Sequence, residues 1–235
     1  MKSGEEKIPI NLYSKVRNDI VNRFSNYDCV KAIYEFGKTN NVGISDLDIA
    51  LVLKKETQEA NYLQEELQSV YENQDYISVL CGGTIMVFSE SDFANIHYFD
   101  DIELKLLAGN KIRVNRPSQS EEKLILICQI IDWLPERLLS LKNAVVHGNS
   151  AISLLGYLYS IRYTFKKINK FFTSGFKERI DFVASIETIR SKWFNLGHEE
   201  QSNELNMLLE SAFSIGFNDL CNFEKHMKHT GNYQS

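Results

Sequence analysis

The chain has 235 residues, 43% hydrophobic and 24% charged, with a formal net charge of -5. That is the balance of an ordinary globular chain, and its acidity excludes a strongly basic nucleic-acid binder and argues against any long nucleic acid as substrate. No run of 18 apolar residues exists to span a membrane, and Cys29, Cys81, Cys128 and Cys221 are too scattered for a CxxC redox or metal pair. We therefore expect reduced thiols, no leader segment, no membrane association and a cytoplasmic location.

The first apolar pattern, Ile10, Leu12, Val16, Ile20, Val21 and Phe24, has helical spacing. "KAIYEFG" (31–37) predicts a strand that stops at Gly37, and "DIALVL" (48–53) predicts a second. Residues 56–74 predict a helix, and 76–89 one or two strands around Gly82 and Gly83. Alternation on both sides of "AGN" predicts a hairpin over 101–114, with Ile102, Leu104 and Leu106 facing the core. From Pro117 onward the pattern is helical throughout: 118–146 with an interruption at Pro135, then 150–172, 175–194 and 203–229. The fold class is α+β, a small mixed sheet with helices over 1–116 followed by an all-α helical bundle over 117–235.

The chemistry concentrates in "FGKTNNVGISDLDI" (36–49). Alternate residues of a strand share a face, so Asp46 and Asp48 point the same way and Leu47 the other. Two adjacent carboxylates repel unless exposed or bridged by a cation, and an all-oxygen pair suits Mg²⁺ together with waters and substrate phosphates. The preceding loop supplies anion-binding groups. Gly37 permits close backbone approach, Lys38 carries a charge, Thr39 a hydroxyl, and Ser45 either holds the loop or touches a phosphate. The loop is neither a P-loop nor a GxGxxG turn. A third acid would complete a two-metal site. Glu103 in "DIELKL" is the candidate, with Asp101 in reserve.

The strand–loop–strand "YEFGKTNNVGISDLDIALVL" resembles the nucleotidyltransferase superfamily of DNA polymerase beta type, which includes antibiotic and poly(A) transferases. Its pattern is a glycine–serine after a strand, a short loop, an acid–x–acid opening the next strand, and a third acid on a later strand. Gly37 matches the glycine, Asp46 and Asp48 the acid pair, and Glu103 the third acid. Lys38 stands where the family has its serine. The resemblance implies Mg²⁺-dependent (or Mn²⁺-dependent) transfer of a nucleoside monophosphate from an NTP, with pyrophosphate released. It also implies a following helical domain that shapes the acceptor or base pocket.

The expected function is therefore nucleotidyl transfer to a hydroxyl or phosphate of a small-molecule acceptor. In that scheme Asp46, Asp48 and Glu103 are catalytic and metal-binding, and Gly37, Lys38, Thr39 and Ser45 hold the nucleotide. Two alternatives stay open. One is a catalytically degenerate relative that binds nucleotide or a protein partner; the other is a second-messenger synthase or protein-modifying transferase. Arg162, Lys166, Lys167, Lys170, Lys177 and Arg179, interleaved with aromatics, read as a solvated helix face backed by core rings rather than a nucleic-acid groove. His226 and His229 share a helical face but lack a third metal ligand nearby in the sequence.

Overall fold

The computed structural model describes residues 8–37, 43–54, 60–80, 84–99, 102–172 and 175–229. They divide into two units, one reaching Ser118 and the other beginning at Gln119. The architecture is mixed α+β, with one four-stranded mixed sheet and many helices. Among the described residues no helix is long and apolar enough to cross a membrane.

In the first unit, α1 (Ile10–Phe24) buries Tyr13, Val16, Ile20 and Phe24, the stripe that a 3.6-residue period places on one side. The sheet follows in spatial order β3-β2-β1-β4. The central strand β1 (Val30–Phe36) pairs antiparallel with β2 (Asp48–Leu53) on one side and with β4 (Leu104–Gly109) on the other. β2 in turn pairs parallel with β3 (Met86–Ser89). Both faces are covered. Ile33, Leu47, Ile49 and Leu51 pack with α1 and with Leu63 and Val70 of α2 (Ala60–Tyr71). Ala32, Tyr34, Phe36, Ala50 and Val52 pack on the opposite face with Phe93 and Ile96. Burial on both sides explains why β2 reads as a continuous apolar run after Asp48.

Two expectations for this unit need correction. Residues 74–79 form a short helix, α3 (Gln74–Val79), not a strand; Asn73 caps it by accepting from the Asp75 backbone N–H at 2.9 Å. Its buried residues, Tyr76 and Val79, are three apart, which is helical spacing. Strand structure begins only at Met86 and ends where Ser89 caps α4 (Glu90–Ala94). The second correction concerns the 101–114 hairpin. Only β4 forms, and it pairs with β1 instead of folding back on its own continuation. The chain then leaves the sheet. Asn110 N–H donates to Lys31 O at 3.0 Å, and Ile112 N–H donates to the Tyr34 hydroxyl at 2.7 Å. A register shift between Ile33 and Tyr34 lets Tyr34 oppose Leu106 and Ile33 oppose Ala108, leaving Leu107 as the extra residue. Such a bulge swaps faces. Ile102 and Leu104 therefore pack on one core cluster and Leu107 and Ala108 on the other, while Leu106 is exposed.

The second unit is helical. α5 (Gln119–Cys128) runs through a π-helical turn, Gln129–Trp133, into α6 (Leu134–Val146). Pro135 sits in the first turn of α6 and supplies no N–H to the preceding helix, so the widened turn marks the expected interruption. α7 (Ala151–Phe171) is capped by Ser150, whose hydroxyl accepts from Ser153 N–H at 3.2 Å. α8 (Phe176–Lys192) and α9 (His198–His229) complete the unit.

Candidate functional site

The end of β1 and the start of β2 carry the acid pair. Gly37 follows the last residue of β1 with φ +65, a left-handed conformation that a side chain would strain, although a Cβ there would touch nothing within 4 Å. The chain thus turns off the sheet at Gly37 for conformational and not for steric reasons. Asp48 opens β2 directly opposite Phe36 and is partly exposed; Asp46, two residues earlier, is exposed. Leu47 between them bridges to Leu80 and is buried with Ile49, so both aspartates lie on the Phe36 face. Beneath that face Phe36 packs against Phe88 and Phe93, with ring centroids 6.1 Å away in each case. This aromatic floor gives the β2 entrance a fixed base.

Tyr13, which stands outside the apolar pattern read for the first helix, holds the loop end. Its hydroxyl accepts from Gly43 N–H at 3.0 Å and donates to Ser45 O at 2.8 Å. Ser45 is itself buried, so it belongs to the framework that presents Asp46. A tyrosine at an apolar helical position looks like plain core, and nothing local in the sequence marks the 32-residue reach to Ser45.

Glu103 does not join the pair. Gly37 N–H donates to Glu103 O at 2.8 Å, which extends the β1–β4 ladder by one row and sets Glu103 opposite Gly37. Leu104 therefore shares the Phe36 and Asp48 row, while Glu103 and Lys105 alternate onto the opposite face. Lys105 confirms that parity by contacting Glu35, which lies on the Ile33 face, at 3.2 Å. Among the described residues no three His, Cys, Asp or Glu side chains gather to hold a metal ion. Lys38, Thr39 and the reserve acid Asp101 lie outside the described residues.

The donor set nonetheless fits Mg²⁺ of one kind. Magnesium keeps several waters and binds through one or two carboxylates plus substrate phosphates, and it does not need a full protein cage. Asp46 and Asp48, same-faced at an open strand end, meet that requirement, and among the described residues no third carboxylate joins them.

In the helical unit the basic stretch splits, and two of its arginines are buried rather than solvated. Arg162 lies under Tyr159 and Tyr163, its guanidinium carbon 3.5 Å and 4.1 Å from their ring centres. Arg179 is fully buried. Lys166 instead pairs with Glu187 at 2.7 Å on the surface. A groove of about 560 Å³ between α8 and α9 has Phe182 and Leu208 in its lining and Glu178, Asp181, Glu204 and Glu210 around them.

Comparison of the chain with protein-family models, with curated proteins and with solved structures found no match.

Proposed function

We propose that this protein is a nucleotidyltransferase that binds a Mg²⁺–nucleoside triphosphate at Asp46 and Asp48 and transfers the nucleoside monophosphate to a hydroxyl of a small molecule. The observation carrying this proposal is the shared face of the two aspartates at the entrance of β2, beside the left-handed turn at Gly37. The pair would hold the cation that accompanies the phosphates, and the loop after Gly37, bearing Lys38 and Thr39, would meet the phosphates themselves. When bound, the cation would neutralise charge on the departing pyrophosphate. The acceptor oxygen bonds to the α-phosphorus, the bond from that phosphorus to the bridging oxygen breaks, pyrophosphate leaves with the electron pair, and the hydroxyl proton passes to solvent. Orienting the triphosphate in line with the acceptor is the protein's main contribution.

The test is pyrophosphate release with each of the four NTPs and a panel of hydroxyl-bearing acceptors, in wild type and D48N. Release that needs a divalent cation and is abolished in D48N supports the reaction; equal release by D48N defeats it. The second reading, a nucleotide-binding protein without transfer, is favoured by the Glu103 register and by Lys38 in place of the family serine. Calorimetry separates the two: Mg²⁺–ATP binding that D48N weakens, with no release across the panel, supports binding alone.

A further inference from the structure

We infer that the groove between α8 and α9 binds an oligoamine, a linear molecule whose ammonium groups are separated by alkyl segments. The site concerns the helical unit alone and does not depend on the nucleotide proposal above.

The groove measures about 560 Å³, within the range of small-molecule pockets. Phe182 of α8 and Leu208 of α9, both buried, line it together with Met207, which is 56% exposed. Four carboxylates share this apolar lining, Glu178 and Asp181 from α8 and Glu204 and Glu210 from α9, and among the described residues no lysine or arginine does. Lys192 approaches Glu204 at 3.8 Å; among the described residues Glu178, Asp181 and Glu210 enter no ion pair. Like charges three residues apart on one helix, as Glu178 and Asp181 are, repel, so the arrangement costs stability until a cation joins it. The charges are strung out and not gathered. Arg179 meets Asp219 and Lys192 meets Glu204, so the two helices run antiparallel, with Glu178 toward one end and Glu204 toward the other. Among the described residues no three acidic side chains converge tightly enough to hold a metal ion, so a compact cation fits poorly. The α9 lining runs from Glu204 to Ile215, about 16 Å at 1.5 Å per residue. A polyamine of that length lays its methylenes on Met207 and Leu208 while its ammonium groups reach the carboxylates on either wall. The volume suits such a chain better than a docked helix, which is about 10 Å across.

Calorimetry on the full chain with spermine, 1,8-diaminooctane and 1,4-diaminobutane tests the assignment. The two diamines carry equal charge, so a groove that also buries methylenes is expected to hold the longer one about tenfold more tightly. D181N combined with E210Q, both at exposed positions, is expected to weaken spermine about tenfold or more. M207S is expected to narrow the gap between the diamines. Equal affinity for the two diamines overturns the assignment, since charge alone would then attract any cation. Unchanged spermine affinity in the folded double variant overturns it as well, and so does a lysine-rich helical peptide that displaces spermine at tenfold lower concentration, which would make a protein the occupant. If the double variant does not fold, amide chemical shifts of wild type titrated with spermine decide. Shifts along α8 and α9 are expected, and shifts confined to the surroundings of Asp46 and Asp48 overturn the assignment.

Discussion

Arg179 on α8 and Asp219 on α9 meet at 2.5 Å, with the guanidinium wholly inside the helical unit. The same side chain donates to Asn169 Oδ1 at 2.5 Å and to Phe172 O at 3.1 Å, so one buried cation ties the end of α7 to α8 and α9. Asp219 Oδ2 has no hydrogen-bond partner, and a cavity of about 30 Å³ opens among Arg179, Asp219, Asn222 and four apolar residues.

Burial pushes the Asp219 carboxyl from 3.8 up to about 6, against the opposing pull of Arg179. A raised carboxyl pKa means that between those values the folded chain holds a proton that the unfolded chain has lost. This group's contribution to stability should therefore fall as pH rises from about 4 to 6 and level off above, by on the order of 3 kcal/mol. Urea denaturation across that range should show the slope in wild type and lose it in D219N. At pH 7, D219A should cost about 3 kcal/mol because Arg179 then lacks its counter-charge. Parallel wild-type and D219N profiles would contradict this.

Glu35 poses the opposite case. It is buried in the sheet, where Arg17 of α1 grips both its oxygens at 2.7 and 2.9 Å and Lys105 approaches at 3.2 Å. Burial alone would raise its carboxyl, but the hydrogen bonds and charge of Arg17, then those of Lys105, hold it below the usual carboxylate range. Its stabilisation is present above the unfolded value near 4.5 and is lost as pH falls through the lowered folded value. E35Q should unfold about 3 kcal/mol more easily at pH 7, and that deficit should shrink in acid. Thermal melts at pH 7 and pH 3 measure both.

Gly109 ends β4 with φ +81, and a Cβ there would lie 2.9 Å from Ala32 Cα and closer still to Lys31 O. Both neighbours are backbone of β1 and cannot step aside. G109A should cost more than 2 kcal/mol, a clash added to strain, whereas G37A, whose Cβ meets nothing, should cost about 1. Equal midpoints in chemical denaturation would show that the close approach of β4 to β1 is not needed.

Y13F removes the hydroxyl that joins Gly43 N–H to Ser45 O. The expected loss is about 1–2 kcal/mol of stability together with weaker nucleotide binding, since Ser45 adjoins Asp46. Calorimetry with Mg²⁺–ATP checks the second part. Unaltered affinity would make Tyr13 a purely structural tie.

Some of this was legible residue by residue. Val16, Ile20 and Phe24 of the first helix and the strands before Gly37 and after Asp48 follow from periodicity, because burial of one face dictates which positions are apolar, whereas Ile10 of the same pattern is exposed and Tyr13 joins the buried stripe unannounced. The hairpin was not legible, since β4 alternates as a hairpin arm would and only its partner, β1, differs. The arginines were also misleading. Arg162 and Arg179 look solvent-bound in a basic run, yet aromatic rings and a carboxylate 40 residues away bury them.

The sequence by itself determined that Asp46 and Asp48 face the same way, because two-residue alternation is a local property of an extended chain. It also set the order of sheet-bearing and helical halves. Whether a third group reaches those aspartates was decided only in the folded chain, by strand order and register. Those depend on backbone pairing between segments tens of residues apart, where a shift of one residue sends a side chain to the opposite face. The register of β4, which sets Leu104 opposite Phe36, sends Glu103 to the far face.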